Sequence, residues 1–291
     1  MRLLTRADMD GIACAVLLSE VEAIEEVVFV EPQVLKSGRV EVGPDDIVAN
    51  LPFHPRCGLW FDHHVSNAPD AGSPFRGRFE VVDSAARVVF DHYQDPRLDR
   101  FSALLEATDR VDAAKLTMDD VLNPQGYILA AMTVDPRSGL ENTDAYFLDL
   151  VCWLKSDTVE NLLARPDVRR RCDRILADQE AFKAFLLAHS HQDGDVIVTD
   201  IRGTRSPAGS RFLVYTLFPT ANVAMKVHDA TDLPDKVAIS LGHSIFNRSC
   251  GVNVGELLAR YGGGGHFGAG SSRIDPRDVE RVMGEILGVL R

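Results

Sequence analysis

The sequence predicts an α/β protein with a parallel, doubly wound sheet domain, joined by a connector helix to a smaller domain built on a mixed sheet. Up to residue 98, short apolar stretches alternate with helical patterns, which is typical of a parallel sheet flanked by helices. Residues 98–163 are mainly helical in pattern, and beyond Gly194 apolar residues recur with a period of two. We therefore predict domains at residues 1–165 and 194–291, with the connector at 166–193. A chain of 291 residues is long enough for both to bury a core.

Each predicted element follows from a local pattern. The first sheet takes its strands from five short apolar runs, at residues 3–5, 26–31, 46–50, 58–61 and 78–82. Ser84 is suited to cap the helix that follows the last of them. Alternating charged and apolar residues predict one long connector helix over residues 167–188. The second domain is predicted to contain strands at 196–198, 212–215, 221–227 and 237–241, and helices at 254–261 and 278–290.

Composition and charge exclude several classes of protein. The net charge of −12 argues against a broad surface for long nucleic acids, which needs a basic field. Five cysteines without a CxxC pair indicate buried thiols in a reducing compartment. The N-terminus turns acidic too early for a signal peptide, and no apolar run has the length of a membrane span. We expect a cytoplasmic protein that does not interact with membranes.

An aspartate and two histidines, Asp62-His63-His64, follow directly on the strand predicted at 58–61. Open α/β sheets build their sites at the carboxyl ends of strands. Carboxylate oxygens and imidazole nitrogens are ligands for divalent transition metals. An isolated triplet of this kind is more often a turn with ordinary loop histidines, so its interpretation depends on the rest of the chain.

Further polar residues follow the other strands of the predicted sheet. Asp8 and Asp10 come after the first strand, and their spacing of two places both on one side of an extended chain. One of them would suit the N-terminus of the next helix, which leaves the second unexplained. Asn50 ends the third strand, so all these residues are expected at the rim that carries Asp62. Asp109 could reach the same rim from a helix, with Asp112 on roughly the same helical face, although both also fit solvated helix acids.

A glycine-rich run, GGGGHFGAG at residues 262–270, lies between the last two predicted helices. Successive glycines allow a ligand to approach backbone amides, as phosphate binding requires. His266 would add a donor, and Arg248 is a candidate partner for phosphate. A plain flexible linker is the alternative, which the embedded histidine and phenylalanine make less favourable. His189 and His191 resemble an HxH ligand pair, but without a nearby carboxylate cluster we interpret them as surface residues.

These residues together resemble the DHH phosphoesterase superfamily, which includes nanoRNA/pAp phosphatases, RecJ-like nucleases, exopolyphosphatases and family II pyrophosphatases. The triplet is Asp62-His63-His64, the first motif is Asp8-Met9-Asp10-Gly11, and residues 262–270 resemble the signature of the DHH-associated domain. The order of the motifs is correct and they bracket nearly the whole chain. The resemblance is greatest to compact two-domain members of the nanoRNase/pAp phosphatase or exopolyphosphatase-like type.

The resemblance implies a hydrolase that depends on Mn²⁺ (or Mg²⁺), with its site in the cleft between the domains. It implies a small phosphorylated substrate, namely a short single-stranded oligoribonucleotide, a pAp-like nucleotide or polyphosphate, and it allows a homodimer. By the same analogy His64 contacts the substrate phosphate and Asp62 orients the triplet or ligates metal. The implied metal ligands are Asp8, Asp10, Asp62, His63 and Asp109, and the implied substrate-binding residues are Arg248, Gly263, Gly264, Gly265 and His266.

The chain departs from the family pattern at two places. Members usually carry a metal-binding histidine two or four residues before the first motif, where this chain has Arg6 and Leu4. They also carry an aspartate at the end of the third strand, where this chain has Asn50. We expect that the first metal is weakened or absent, with Arg6 partly standing in for it at the catalytic site, so that one ion is favoured over two. The alternative is a catalytically degenerate nucleotide- or phosphate-binding protein of the same fold. A RecJ-like exonuclease is less favoured, because the chain lacks an aromatic and basic single-strand platform.

Overall fold

The computed structural model of the chain describes residues 1–69, 74–141 and 143–291. These residues form two compact units, each with its own sheet. The first unit comprises Met1–Leu116 and Pro124–Arg174, and the second comprises Thr117–Asn123 and Ile175–Arg291. The long helix that was predicted as the connector runs from Pro166 to His189, so the boundary between the units falls inside it.

The first unit contains a five-stranded sheet in which every neighbouring pair of strands is parallel. The order is β2-β1-β3-β4-β5, so the chain begins between β2 and β3 and reverses direction once. This confirms the predicted doubly wound domain. The strands are β1 (Arg2–Thr5), β2 (Glu26–Phe29), β3 (Asp46–Ala49), β4 (Leu59–Asp62) and β5 (Gly77–Phe79).

The helices of the first unit follow these strands, and three of them have their main strand contacts with β1, β2, β4 and β5. The helix after β1 buries ten consecutive residues, from Met9 to Leu18, and Ser84 caps the helix after β5 as predicted by accepting from the N–H of Arg87. The helices are α1 (Met9–Val21), α2 (Pro32–Lys36), α3 (Ala85–Tyr93), α4 (Ser102–Asp112), α6 (Gly126–Met132), α7 (Asp144–Ser156) and α8 (Val159–Ala164). The short α5 (Met118–Leu122) belongs to the second unit, and α9 (Pro166–His189) spans the boundary.

The second unit contains a six-stranded mixed sheet with the order β10-β11-β9-β8-β7-β6. Only β7 and β8 pair in parallel among these strands. The strands are β6 (Ser190–Asp193), β7 (Val196–Asp200), β8 (Val223–Asp229), β9 (Val237–His243), β10 (Gly264–His266) and β11 (Ala269–Ile274). The helices α10 (Leu213–Leu217), α11 (Val254–Ala259) and α12 (Val279–Leu290) complete the unit. Side chains of α11 and α12 form a core with one face of this sheet.

The structure differs from the sequence predictions for the second unit at three places. Residues 212–215 were predicted as a strand but lie mostly in the short helix α10, because a run of four apolar residues does not distinguish a buried strand from a buried helical turn. Strand β6 was missed because its sequence, SHQD, is polar and lies at the sheet edge. No strand was predicted over the glycine-rich run, which forms β10 and the beginning of β11.

Among the described residues, none of the helices combines the length and apolar character needed to cross a bilayer.

Candidate metal centre

Asp10 is held at the start of α1 by the beginning of another helix. Its carboxylate is almost fully buried and accepts hydrogen bonds from the backbone N–H groups of Ala85 (2.9 Å) and Ala86 (2.8 Å) in the first turn of α3. Burial, together with the nearby carboxylates of Asp112 and Asp8, raises the pKa of Asp10 well above its usual range. A buried acid in this position needs a compensating positive charge to remain ionised.

Asp62 ends β4 and is completely buried. One of its oxygens accepts from the backbone N–H of His63 (2.8 Å) and from Nδ1 of His64 (2.8 Å), and the other accepts from the amide of Asn67 (2.7 Å). The hydrogen bond from His64 to Asp62 raises the pKa of that imidazole. Both oxygens of Asp62 are therefore engaged within or beside the triplet, in a geometry that orients His64.

His63 presents a nitrogen lone pair to two carboxylates. Its Nδ1 lies 2.9 Å from the carbonyl oxygen of Val82, which can only accept a hydrogen bond, so Nδ1 carries the proton in the neutral ring. The buried Nε2 makes no hydrogen bond with any described residue, and it lies 3.2 Å from Oδ2 of Asp112 and 3.7 Å from Oδ2 of Asp10. A lone pair facing two carboxylate oxygens is stable only with a positive charge between them.

The residues around His63 therefore fit a divalent cation. Ligand atoms of Asp10, His63 and Asp112 all lie within 4.8 Å of one another, and those of Asp62, His63 and His64 form a second such group. One imidazole with two carboxylates suits manganese or magnesium, and the hydrogen bond from Nδ1 to a backbone carbonyl is the usual support for a ligating histidine.

Of the two acids predicted on α4, Asp112 rather than Asp109 lies beside His63. Asp109 accepts a hydrogen bond from the hydroxyl of Ser84 (2.6 Å) and pairs with the guanidinium of Arg87, whose Nε is 3.0 Å away. Its carboxylate is thereby used to hold α3 against α4. Asp112 lies one turn further along α4 and reaches His63, and its spacing of three residues from Asp109 had marked it as a second candidate on the same helical face.

Asp8 is engaged by donors of the protein itself. One oxygen accepts from the N–H of Gly11 (2.9 Å) and from the side-chain amide of Asn50 (2.9 Å), while the other lies 3.2 Å from Nε of Arg6. Burial raises the pKa of Asp8, and the charge of Arg6 opposes this shift. The two residues that depart from the family pattern thus both bind Asp8.

The predicted residues at the strand ends of the first unit are therefore brought together at one rim. Hydrogen bonds, ion pairs or shared ligand groups connect Asp8, Asp10, Asn50, Asp62, His63 and His64 to one another or to common neighbours. Asp8 is linked to the rest through its hydrogen bond from Asn50 and through electrostatic repulsion with the carboxylate of Asp10. Asp109 was predicted among them and lies outside the cluster around His63.

The glycine-rich residues predicted to bind substrate lie in the second unit. A Cβ on Gly263 would lie 2.4 Å from the carbonyl oxygen of Ser271, and one on Gly265 would lie 2.2 Å from that of Ala269. These two glycines are thus required by the close packing of β10 on β11, whereas Gly264 faces open space.

The two predicted phosphate-binding side chains also lie in the second unit. His266 is exposed at the end of β10. Nε of Arg248 donates to the carbonyl oxygen of Ile245 at 3.1 Å. The contact of these residues with substrate stays a prediction.

Comparison with known proteins gives a full-length match. A pGpG-specific phosphodiesterase, PggH, from Vibrio cholerae is 31% identical, and the match covers 99% of this chain and 98% of that one with a TM-score of 0.89. The DHH domain of a member of a family of ribosomal proteins is 12% identical, with coverages of 98% and 86% and a TM-score of 0.59. RecJ in complex with Mn²⁺ from Thermus thermophilus is 12% identical, with coverages of 99% and 51% and a TM-score of 0.54. No protein-family model and no curated protein matches the sequence.

Proposed function

The chain belongs to the DHH phosphoesterase superfamily, and we propose that it is a divalent-metal-dependent phosphodiesterase for a linear ribodinucleotide of the pGpG type. The observation that carries the proposal is the buried Nε2 of His63, which points at Asp10 and Asp112 without a hydrogen-bond partner among the described residues. The 31% identity to a pGpG-specific phosphodiesterase over the full chain supports this substrate within the predicted class of short oligoribonucleotides.

Asp10, His63 and Asp112 would hold the cation. When bound, the cation would act as a Lewis acid towards a phosphoryl oxygen and would lower the pKa of bound water towards neutrality. His64 is fixed through Nδ1 by Asp62, which leaves its other nitrogen free to donate to an anionic oxygen of the phosphate. The raised pKa of His64 favours the protonated ring that can make this donation. Arg6 adds a fixed positive charge beside Asp8 that can stabilise charge developing on the phosphate.

An exposed aromatic residue supports a nucleotide rather than polyphosphate as substrate. Phe267 lies in the turn that connects β10 to β11 and is 55% exposed. Its carbonyl oxygen accepts from the N–H of Val254 (3.0 Å), and its ring packs edge-on against His243 with centroids 5.4 Å apart. A rigidly held aromatic ring offers a stacking surface for a base, which polyphosphate lacks.

We propose that one divalent ion, Mn²⁺ or Mg²⁺, is tightly held in each chain. Arg6 and Asn50 supply Asp8 with a positive charge and a hydrogen-bond donor, so this carboxylate needs no second ion to compensate its charge. The cytoplasmic location and the homodimer expected from the sequence stay predictions.

The test is a panel of substrates with purified protein and Mn²⁺, in which pGpG, pAp and polyphosphate are compared by chromatography of the products. We expect pGpG to be converted to GMP, and we expect Asp112→Asn to reduce this rate by roughly 100-fold because the cation loses a charged ligand. Asp109→Asn is the matched control, since the same chemical change is made one helical turn away, at a carboxylate that pairs with Arg87. Equal losses in the two variants, or hydrolysis that persists in EDTA, would contradict the assignment.

The engagement of Asp8 by Arg6 and Asn50 also favours a second function, a nucleotide-binding protein of this fold that no longer hydrolyses its ligand. It predicts pGpG binding without turnover in Mn²⁺ or Mg²⁺. The same panel, accompanied by a direct binding measurement, separates the two functions.

A further inference from the structure

On the face of the second sheet opposite α11 and α12, the described residues of β8, β10 and β11 are half-buried or exposed. The strand register places Thr199, Lys226, Ser240, Ser271 and Gly264 opposite one another in a single row across five strands. The adjacent row on the same face contains Ala224, Gly242, Ala269 and His266. Side chains two residues apart on a strand share a face, so both rows lie opposite the core formed with α11 and α12. We define the open face by Ala224, Lys226, Ser240, Gly242, Ser271 and His266.

The centre of the open face carries small residues, and Tyr215 of α10 reaches it at Gly242. A Cβ on Gly242 would lie 3.0 Å from the hydroxyl of Tyr215, which donates to the carbonyl oxygen of Gly242 at 2.8 Å. The neighbouring positions are Ala224 and Ala269. A floor of glycine and alanine therefore separates His266, at one end of its row, from Lys226 in the next row.

Lys226 is a cation for which the described residues supply no counterion. It makes no ion pair or hydrogen bond with any of them, although the chain carries a net charge of −12. In contrast, Arg273 of β11 pairs with Asp232 (2.8 Å), and Lys236, directly before β9, pairs with Asp275 (3.5 Å). Lys226 is exposed, so its ammonium group is accessible to an anion from solution.

Hydroxyl groups adjoin this cation. Ser240 is the strand partner of Lys226, Ser271 is the partner of Ser240, and the row ends at Gly264. The hydroxyl oxygen of Ser271 accepts from Nη1 of Arg273 (2.9 Å), which leaves its own proton to donate, and the hydroxyl of Ser240 lies 3.5 Å from Nε2 of His228. Ammonium, hydroxyl and imidazole donors above a floor of small residues match the oxygens of a phosphate group.

We propose that Lys226 binds a phosphate group of a nucleotide on the open face, so that the anion site predicted at His266 and the glycine run extends across the sheet. The nucleotide nature of the ligand rests on the proposed function, whereas the role of Lys226 rests on the register, the floor of small residues and the missing counterion. Lys226 is thus a binding residue that determines affinity and takes no part in bond cleavage.

The experiment is calorimetric titration of the full chain in EDTA with GMP, and separately with inorganic phosphate. We expect Lys226→Met to weaken GMP binding roughly tenfold or more, because a charged hydrogen bond is removed while the length of the side chain is kept. Lys226→Arg should stay within about threefold of the wild-type affinity, since the charge is retained. Lys236→Met is the matched control in the same unit and should bind GMP as the wild type does. Wild-type affinity in Lys226→Met, or no GMP binding by the wild type, overturns the proposal.

A second measurement needs no variant. Acetylation of lysines by an activated ester, followed by mass spectrometry, should slow at Lys226 when GMP is added and remain unchanged at Lys236. Equal rates at Lys226 with and without GMP contradict the proposal. If the wild type does not hydrolyse pGpG, the proposed activity fails, yet both EDTA measurements still decide the role of Lys226. If it does hydrolyse pGpG, Lys226→Met should raise KM with kcat within about twofold of wild type.

Discussion

At the scale of single residues, Asn50 determines how much negative charge the rim of the first sheet carries. Its amide donates to Asp8 from a left-handed backbone conformation (φ 55°), which aspartate tolerates almost as well as asparagine. Asn50→Asp would place a second carboxylate directly against Asp8. We expect the manganese content of the purified variant to rise from one ion per chain to two, measured by elemental analysis after dialysis against Mn²⁺.

Asn50→Ala is the control for this change, because it removes the donor to Asp8 without adding charge, and its metal content should remain at one ion. Two tightly held ions in the wild type would show that Arg6 and Asn50 do not neutralise Asp8.

The sequence predicted which strand-end residues meet at the rim, but not which acid of α4 lies beside His63. Asp8, Asp10 and the triplet follow directly from the rule that parallel strands end at one rim. The choice between Asp109 and Asp112 depends on which of two acids on one helical face meets Arg87 of α3. That pairing is a tertiary contact between helices, and neither propensity nor spacing in a single sequence determines it.

At the scale of elements, the turn from β1 into α1 positions both aspartates of the first motif, and it depends on Gly11. A Cβ at this position would lie 2.0 Å from the carbonyl oxygen of Arg6 and 2.8 Å from Oγ1 of Thr5. Gly11→Ala must therefore displace the backbone that carries Asp8. We expect it to lower the free energy of unfolding by about 1–3 kcal/mol, measured by urea denaturation, and to weaken Mn²⁺ binding.

Gly284 provides the matched control, since it also lies within a helix, α12, but its Cβ would meet nothing within 4 Å. Gly284→Ala should raise the free energy of unfolding by up to about 1 kcal/mol through helix propensity alone. If the two alanine substitutions had the same effect, the close approach of Gly11 to Arg6 would not constrain the turn.

Elements were predictable where apolar runs are bounded by polar or turn-forming residues, as for β3, β4 and the strands that contribute Met225 and Ile239 to the second core. The polar edge strand β6 carries no such signal. No strand was predicted over the glycine run because glycine is conformationally permissive, whereas Gly263 and Gly265 are needed for two strands to pack closely. Composition alone does not separate these two uses of glycine.

At the scale of the whole molecule, the metal centre makes folding stability depend on pH. Burial raises the pKa values of Asp8, Asp10 and Asp112 above 3.8, their ordinary value, and repulsion among the carboxylates adds to the shift for Asp10 and Asp112. Acids with raised pKa values bind protons more tightly in the folded than in the unfolded state. Without metal, the folded state is therefore progressively destabilised as the pH rises above about 4 through the folded pKa values.

Asp112→Asn removes one of these charges, so in EDTA the variant should melt at a higher temperature than the wild type at about pH 8, with a smaller difference at about pH 5 where the acids bind protons. Excess Mn²⁺ should reverse the order at the higher pH, because the cation binds only the deprotonated ligands and stabilises the wild type more. Calorimetric melting at the two pH values measures both effects.

Asp109→Asn is the control: it breaks an ion pair with Arg87 and should lower the melting temperature at both pH values. A difference between Asp112→Asn and wild type that does not change with pH would show that Asp112 does not share the charge of this centre.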